Sequence, residues 1–241
     1  MHNYTTLPDE CKKFWKKRYR LFSKFDEGIY MTSELWYSVT PESIAIFVAR
    51  LFSYLIPEAK CAVDLCCGGG GNTIQFAKYF KSTIGIDINP TNVQCTEHNA
   101  QIYGVGENIF TVVGDWNEMS KVNDNGSKTF DFIFSSPPWG GPAYTKKGQE
   151  FDLHTMEPFP IERLIQQCLQ YTENIGLFLP KSSNLSQISQ ATKKFFGNEG
   201  SCRVIYINST GYCVGMLALM GPKVTGELDY DQFFSTEFGE E

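Results

Sequence analysis

The chain has 241 residues, of which 42% are hydrophobic and 15% aromatic, a composition that suits one large domain with a full hydrophobic core. It excludes collagen-like and largely disordered proteins, and no apolar run reaches the length of a membrane span. The eight cysteines include no CxxC pair, so zinc-ribbon and thioredoxin motifs find no support. We therefore expect a reducing compartment, the cytosol or the nucleus, and no membrane association.

The formal net charge of −6 is distributed unevenly. Residues 11–25 contain seven basic side chains and no acidic one, whereas residues 224–241 contain six acidic side chains and no basic one. The basic segment suits a polyanionic partner, although charge alone more often indicates a solvated helix face. The acidic segment predicts a disordered, solubilising tail.

The N-terminal part of the chain, residues 1–55, is predicted to be a helical extension. A first helix over residues 8–22 would share one face among the aromatic side chains Trp15, Tyr19 and Phe22. A second helix is predicted over about residues 41–54, with Thr40 as its N-cap.

From residue 61 onward, short apolar runs alternate with helical patterns. The strand candidates are Cys61–Leu65, Thr83–Asp87, Ile109–Val113, Phe130–Ser135, Asn174–Leu179, Cys202–Asn208 and Cys213–Leu219. The helix candidates lie near residues 72–80, 90–103, 160–172 and 184–196. Strands separated by helices are typical of parallel βαβ units, and the short last connection makes the final strand antiparallel. The pattern predicts an α/β, Rossmann-like domain over residues 56–223 with a mostly parallel seven-stranded sheet.

A glycine-rich turn follows the first strand and opens a helix. Four consecutive glycines, Gly68 to Gly71, let the backbone approach a ligand without any Cβ in the way. Asp64 precedes the turn, and Asp87 ends the second strand, where a carboxylate grips a ribose hydroxyl. A dinucleotide fingerprint needs a third glycine where Thr73 stands, so the pattern favours the S-adenosylmethionine loop of class I methyltransferases over a nicotinamide site.

A second motif follows the fourth strand. Residues 136–142 read Ser-Pro-Pro-Trp-Gly-Gly-Pro, at the edge of the sheet where ligands bind in such folds. Methyltransferases that act on the exocyclic amines of nucleobases carry a related loop, in which a base stacks on the aromatic ring and loop oxygens accept hydrogen bonds from the amine. The alternative is a proline-rich strand terminator with a buried Trp139.

Taken together, these strings resemble the catalytic domain of the trimethylguanosine synthase family. The resemblance covers residues 11–182 and rests on Trp15 and on residues 18–26, 38–42, 70–77 and 136–142. It implies a class I fold that transfers methyl groups from S-adenosylmethionine to N2 of 7-methylguanosine RNA caps. The products would be S-adenosylhomocysteine and the 2,2,7-trimethylguanosine caps of small nuclear and nucleolar RNAs. It also implies ribonucleoprotein partners, a location in the nucleus and nucleolus and also in the cytoplasm, and no metal.

The resemblance assigns roles to individual residues. Cofactor binding falls to Phe22, Thr40, Asp64, Cys66, Gly68, Asn72, Thr73, Asp87, Asp115 and Ser135. Substrate binding falls to Lys13, Ser38, Asn99, Trp139, Tyr144 and Lys181, and the catalytic loop residues are Ser136, Pro137 and Trp139. Within these sets, Trp139 would stack on the methylated guanine, Asn99 would contact the base, and Lys13, Tyr144 and Lys181 would meet the cap phosphates. The basic N-terminal segment would also attract the RNA body.

Two departures from the family pattern stand out. Lys181 replaces the usual arginine and loses its planar fork, and residues 208–213 near the final hairpin lack the family's basic side chains. Three other functions stay open at this point: an N2-guanine methyltransferase of internal rRNA or tRNA positions, a non-catalytic cap-binding protein, and a nicotinamide oxidoreductase. The adjacent Cys66 and Cys67 are predicted to pack under the glycine-rich turn. Because no spare apolar stripe is evident, we expect a monomer.

Overall fold

The computed structural model describes residues 4–116, 129–140 and 150–235. The described residues form a seven-stranded sheet in the order β3-β2-β1-β4-β5-β7-β6. The strands are β1 Cys61–Leu65, β2 Ser82–Asp87, β3 Ile109–Val113, β4 Phe132–Ser135, β5 Ile175–Leu179, β6 Cys202–Ser209 and β7 Tyr212–Met220. Only β7 runs antiparallel to its neighbours, as the short last connection predicted. All seven predicted strands are confirmed, with ends that differ by at most two residues.

Helices cover both faces of the sheet. They are α1 Asp9–Lys12, α2 Arg18–Leu21, α3 Leu35–Ser38, α4 Glu42–Leu55, α5 Gly71–Tyr79, α6 Pro90–Ile102, α7 Ile161–Cys168, α8 Leu185–Phe196 and α9 Tyr230–Ser235. Side chains alternate along β4: Phe132 and Phe134 pack with α4 and α5, whereas Ile133 packs with α7 and α8. Phe52 of α4 stacks on Phe132 with ring centroids 4.2 Å apart. Both faces of the central strands are therefore buried.

The prediction of one helix over residues 8–22 is wrong. The segment breaks into α1, a 3-10 turn at Trp15–Lys17 and α2. The breaks let Trp15 pack against Trp36 at 5.8 Å and turn Phe22 into a third apolar cluster, while Tyr19 remains 45% exposed. Because Trp15 and Phe22 both pack in this cluster and Tyr19 does not, tertiary packing overrides a single straight helical stripe.

The prediction of a disordered acidic tail is also wrong for residues 224–235. Val224 and Phe233 are buried in the cluster that α4 forms with the sheet. The ring of Phe233 meets Phe47 at 5.7 Å and Tyr54 at 5.5 Å. The segment therefore carries two buried apolar side chains among its acidic ones, and its charge pattern alone does not reveal them. Residues 236–241 lie outside the described part of the chain.

This packing predicts a clear difference between two adjacent phenylalanines. Phe233→Ala is expected to lower the free energy of unfolding by about 3 kcal/mol, because a buried ring is lost and a cavity remains. Phe234→Ala is the matched control, since Phe234 is 44% exposed, and is expected to cost less than about 1 kcal/mol. Urea unfolding of both variants measures the difference, and equal losses would contradict the anchoring role of Phe233.

Candidate active site

A cavity of about 370 Å³ opens at the carboxyl ends of β1 to β4. The N-terminal extension forms one wall, and the glycine-rich turn, the loops after β2, β3 and β4 and the segment before α7 form the others. Eight of the residues predicted for cofactor, substrate or catalysis line it: Ser38, Thr40, Cys66, Gly68, Asn72, Asp87, Asp115 and Ser136. The topology thus brings together residues that lie up to 98 positions apart in the sequence.

The glycine-rich turn requires glycine for two reasons: its backbone adopts positive φ angles, and neighbouring atoms leave no room for a Cβ. Gly68 has φ +56° and Gly70, the N-cap of α5, has φ +87°, values that favour glycine. A Cβ at Gly70 would lie 3.3 Å from the Thr96 Cα, and one at Gly68 would lie 3.0 Å from the Leu35 side chain. The Leu35 side chain of the extension therefore packs directly against the backbone of the glycine-rich turn.

Asp87 fixes the geometry of the turn and faces the cavity. Its Oδ2 accepts from the backbone N–H of Gly68 at 2.9 Å. Its Oδ1 accepts from the backbone N–H of Asn89 at 2.9 Å and from the Asn92 amide at 3.3 Å. The carboxylate is thus held in one orientation at the end of β2, where it can accept further hydrogen bonds from the two hydroxyls of a ribose.

Asp64 lies beneath the turn and is fully buried. The Thr73 hydroxyl donates to its Oδ2 at 2.6 Å, whereas its Oδ1 has no hydrogen-bond partner in the described part of the chain. Burial raises the pKa of Asp64 to about 7, an effect that the Thr73 hydrogen bond opposes and the charge of Asp87 reinforces. A buried carboxyl group with an unsatisfied oxygen beside a cavity fits a cationic ligand.

The charge of the cavity points the same way. Its described lining contains three acidic side chains, Glu34, Asp87 and Asp115, and no Lys, Arg or His. The diphosphate of a nicotinamide dinucleotide would meet these carboxylates without a compensating side-chain cation. S-adenosylmethionine carries a positive sulfonium and no phosphate, so the donor set fits S-adenosylmethionine.

Cys66 and Cys67 sit at the start of the turn. Burial raises the pKa of Cys66 to about 12 and that of Cys67 well above its usual value, with the charges of Asp64 and Asp87 adding to both. Both side chains therefore stay protonated at neutral pH, whereas metal binding and disulfide exchange use the thiolate. No group of His, Cys, Asp and Glu in the described residues is arranged to hold a metal ion. Cys67 is buried beside Thr96, whereas Cys66 is partly exposed, and both line the cavity.

The Ser-Pro-Pro-Trp loop borders the cavity after β4. Ser136 and Pro138 line the cavity, and Pro137 lies buried behind it. Trp139 is half-buried; its indole N–H donates to the Phe178 carbonyl at 3.2 Å, and the two rings lie 5.4 Å apart. Trp139 is therefore held by β5 at the margin of the cavity, next to Pro138. Gly141, Pro142 and Tyr144 lie outside the described residues.

Several predicted residues lie behind or away from the cavity wall. Phe22, Asp64, Thr73 and Ser135 are buried behind the wall, and Ser135 Oγ donates to the Leu65 carbonyl at 3.3 Å. Lys13 and Lys181 are exposed and do not line the cavity.

Asn99 is buried between the glycine-rich turn and the extension. Its side chain is fully buried, and its Oδ1 accepts from the Tyr30 N–H at 2.8 Å. Its Nδ2 donates to the carbonyls of Tyr30 at 3.0 Å and Gly69 at 2.9 Å. With both ends of its amide hydrogen-bonded, Asn99 ties the glycine-rich turn to the extension, and its predicted contact with the base stays a prediction.

Sequence reasoning missed the apolar walls of the cavity. Leu35 and Val39 of the extension cover the turn, and Trp116 meets Phe159 edge to face at 5.3 Å on another side. Trp116 could have been predicted, because the Gly114-Asp115-Trp116 run directly follows β3 and the carboxyl ends of the strands converge at this edge. Nothing local marked Leu35 or Phe159.

Comparison with known proteins identifies the group to which this chain belongs. A family model for RNA cap guanine-N2 methyltransferases matches residues 59–223. The chain belongs to this family. It is 42% identical over 211 residues to the trimethylguanosine synthase of Saccharomyces cerevisiae, covering 87% of this chain and 67% of that protein. It is 36% identical over 185 residues to the trimethylguanosine synthase of Schizosaccharomyces pombe, covering 76% of each.

Solved structures show the same fold. A putative methyltransferase from Porphyromonas gingivalis superimposes with a TM-score of 0.66 at 17% identity, covering 88% of this chain and 49% of that one. An O-methyltransferase from Bacillus cereus, solved with S-adenosylhomocysteine, superimposes with a TM-score of 0.53 at 11% identity, covering 88% of this chain and 100% of that one. The predicted class I fold is confirmed. The family uses S-adenosylmethionine to methylate N2 of the guanine in an RNA cap.

In the described residues, no helix has the length and apolar character that crossing a membrane requires.

The buried Asp64 predicts a dependence of stability on pH. In the cofactor-free protein the folded state keeps a proton on Asp64 up to about pH 7, whereas an unfolded aspartate releases it near pH 4. The folded state therefore binds the extra proton between these values, and this group makes folding less favourable as the pH rises through them. Asp64→Asn cannot ionise and still offers Thr73 an acceptor. We expect this variant to gain on the order of 2 kcal/mol relative to the wild type between pH 5 and pH 8, measured by urea unfolding.

The same group predicts how pH affects cofactor binding. A cation in the adjoining cavity favours the ionised form of Asp64, so the affinity of the wild type for S-adenosylmethionine should rise from about pH 6 to about pH 8. The Asp64→Asn variant should bind more weakly at pH 8 and show little pH dependence in calorimetric titration. A wild type and a variant with parallel pH profiles would contradict this role.

Proposed function

We propose that this chain adds two methyl groups to N2 of the 7-methylguanosine cap of RNA and yields a 2,2,7-trimethylguanosine cap. Membership of the cap guanine-N2 methyltransferase family over residues 59–223 carries this proposal. The names of the two yeast relatives support the trimethylated product. An acidic cavity that suits a sulfonium cofactor, next to a Pro-Pro-Trp loop that suits a flat base, agrees with it.

The residues of the chain act mainly by binding and positioning. Bound S-adenosylmethionine supplies an electrophilic methyl group on a sulfonium sulfur. Asp87 binds the ribose hydroxyls and holds the turn, while Leu35 and Val39 exclude water above it. Ser136 and the Pro137 carbonyl accept hydrogen bonds from the guanine amine and direct the N2 lone pair toward the methyl group. As the new N–C bond forms, the bond from the methyl group to the sulfonium sulfur would break to leave S-adenosylhomocysteine, and the N2 proton would pass to solvent.

Trp139 selects for prior methylation at N7. A 7-methylguanine ring carries a positive charge, so stacking on an indole gains a cation–π contribution of about 1–2 kcal/mol that guanine lacks. The same charge withdraws electrons from N2 and eases loss of its proton. Between the two transfers the first product must turn in place, and S-adenosylhomocysteine must be exchanged.

The test is methyl transfer from labelled S-adenosylmethionine to 7-methylguanosine triphosphate and to guanosine triphosphate, with products resolved by mass. Dimethylation of the N7-methylated nucleotide alone is the expected result. Monomethyl product alone at long times would limit the activity to one transfer. Transfer to uncapped RNA but to neither nucleotide would move the function to internal rRNA or tRNA positions, and binding without transfer would indicate a non-catalytic cap-binding protein.

We propose further that the natural substrates are small nuclear and nucleolar RNAs, methylated in the nucleus and nucleolus. Ribonucleoprotein proteins of these RNAs would be the partners that deliver them. In cells that lack this chain, precipitation with a trimethylguanosine-specific antibody should lose these RNAs, and a tagged chain should be nuclear. Undiminished precipitation would contradict the assignment.

A further inference from the structure

A second concave surface of about 650 Å³ shares no lining residue with the cofactor cavity. We call it the hairpin groove. Residues 17–23 of the extension form one side, the start of α4 forms its floor, and the turn between β6 and β7 forms the other side. The sequence predicted only a general attraction of the basic segment for RNA, and the proposed reaction assigns the groove no ligand.

The hairpin groove lies beside the cap end of the active site. Because β6 runs parallel to β1 through β5, its carboxyl end and the following turn share the edge that holds the cavity. Val214 lines the groove and packs in the same apolar cluster as Trp139 and Phe178. On the other side, Thr40 lines the cavity and Pro41 lines the groove. Trp139 and the groove therefore lie at the same edge of the sheet, so an RNA strand that leaves a base at Trp139 can enter the groove.

The groove presents positive charge. Lys17 and Arg20 are exposed on its wall and form no ion pair within the described residues. Glu42, which is half-buried, is the one acidic side chain in the described lining. It accepts from the Ser23 N–H and from the Tyr103 hydroxyl at 3.0 Å. Two cations against one carboxylate, which is already engaged by two donors, leave the described lining with a net positive charge that suits a polyanion.

Two tyrosines flank the groove on rigid supports. Tyr19 is 45% exposed; the Arg18 guanidinium lies 4.0 Å from its ring centroid, and its hydroxyl donates to Asp26 at 2.7 Å. Tyr212 is 75% exposed and follows a two-residue turn in which Thr210 has φ +51° and Gly211 has φ +82°. Such a turn matches the twist of a hairpin and fixes its tip. Exposed aromatic rings beside unpaired cations are typical of sites for single-stranded nucleic acid.

We propose that the hairpin groove binds the first nucleotides of the RNA that follow the cap, with bases stacked on Tyr19 and Tyr212 and phosphates beside Lys17 and Arg20. This inference rests on the proposed function, because the cap at Trp139 sets the origin of the strand. Residues 208–213 contain no basic side chain. In the groove the β6–β7 hairpin therefore contributes the aromatic ring of Tyr212, and the extension contributes the positive charge of Lys17 and Arg20. The groove gives affinity without sequence preference, because every base has a face to stack.

The test measures binding of a 3′-labelled, 7-methylguanosine-capped oligonucleotide of about ten residues to the full chain by fluorescence anisotropy. Tyr212→Ala should weaken this binding about fivefold or more, and Tyr212→Phe should restore most of it. The Lys17→Gln/Arg20→Gln double variant should lower the slope of log Kd against log salt by about 1.4, which is about 0.7 for each lost phosphate contact. Competition by 7-methylguanosine triphosphate should be unchanged in each variant.

The matched control is the Lys60→Gln/Lys81→Gln double variant. Both lysines are exposed and precede β1 and β2, at the opposite edge of the sheet, so their removal should leave the salt slope unchanged. Three results would overturn the inference. Tyr212→Ala could bind the RNA with wild-type affinity, or the control variant could lose as much salt slope as the groove variant. A capped oligonucleotide could also bind no more tightly than the free cap nucleotide. A poly-glutamate peptide that displaces the RNA from the groove would assign the groove to an acidic protein instead.

Failure of this inference is distinguishable from failure of the proposed function. If the cap nucleotide is dimethylated and the groove variants have no effect on RNA binding, the function stands and the groove proposal is wrong. If the groove variants weaken RNA binding but no substrate is methylated, the groove proposal stands and the proposed function is wrong.

Discussion

Replacement of Trp139 by alanine is expected to reduce kcat/KM for a 7-methylguanosine cap by roughly 100- to 1000-fold. Base stacking on an aromatic side chain contributes about 1–3 kcal/mol, and the positive charge of the methylated base adds about 1–2 kcal/mol. A combined loss of about 3–4 kcal/mol corresponds to that factor. The affinity for S-adenosylmethionine should change by less than about threefold, because Trp139 does not line the cofactor cavity.

Trp139→Phe is the matched variant for this prediction. It keeps an aromatic face but loses the indole N–H that donates to the Phe178 carbonyl, so it should retain an intermediate activity. Discrimination between methylated and unmethylated guanosine triphosphate should fall in the order Trp, Phe, Ala. Thermal unfolding of all three proteins checks that the fold is retained. An alanine variant that still prefers the N7-methylated nucleotide by the wild-type factor would show that another residue recognises the cap.

The substitution Asp87→Asn is expected to weaken S-adenosylmethionine binding by about 100-fold. Hydrogen bonds to a charged group contribute about 1.5–3 kcal/mol each, and two ribose hydroxyls would lose their charged acceptor. The amide nitrogen of Asn would also face a backbone N–H, either that of Gly68 or that of Asn89, where the wild type has an acceptor. The glycine-rich turn would then lose its fixed position.

Asp131→Asn is the matched control for Asp87→Asn. Asp131 is also a carboxylate that accepts from two backbone N–H groups, those of Lys60 at 2.7 Å and Cys61 at 2.8 Å, but it does so at the amino edge of the sheet. Calorimetric titration should show wild-type cofactor affinity for the control. At saturating cofactor the Asp87→Asn variant should recover much of its kcat, because Asp87 binds and does not touch the guanine. A loss of kcat that added cofactor does not restore would contradict a pure binding role.

Local sequence signals predicted most of the fold. The strands are short apolar runs bounded by polar turns, and their order along the chain with intervening helices leaves few topologies for a parallel sheet. The glycine-rich turn and Asp87 were predictable because their backbone and charge requirements are local. Both meet at the cavity, joined by the hydrogen bond from Gly68 to Asp87.

The N- and C-terminal segments were less predictable because distant contacts decide them. Residues 8–22 have a helical stripe, yet the chain breaks it so that Trp15 and Phe22 both pack in one apolar cluster while Tyr19 stays exposed. Residues 224–235 have the charge of a disordered segment, yet Val224 and Phe233 anchor them to α4. Charge patterns describe the average hydration of a segment, whereas two buried apolar side chains are enough to fix its position.

The sequence by itself determined the chemistry of this protein: the class I sheet, the turn that suits S-adenosylmethionine, and a loop that suits a nucleobase amine. Those features depend on residue types at short spacing, which backbone geometry and charge constrain directly. Only the tertiary structure decided which side chains reach the cavity. Asn99 faces the extension, Thr73 lies beneath the turn with Asp64, and Leu35 closes the cavity from a segment that precedes the sheet. These positions depend on how each helix and loop packs against elements that are distant in the sequence, and no local sequence pattern encodes that packing.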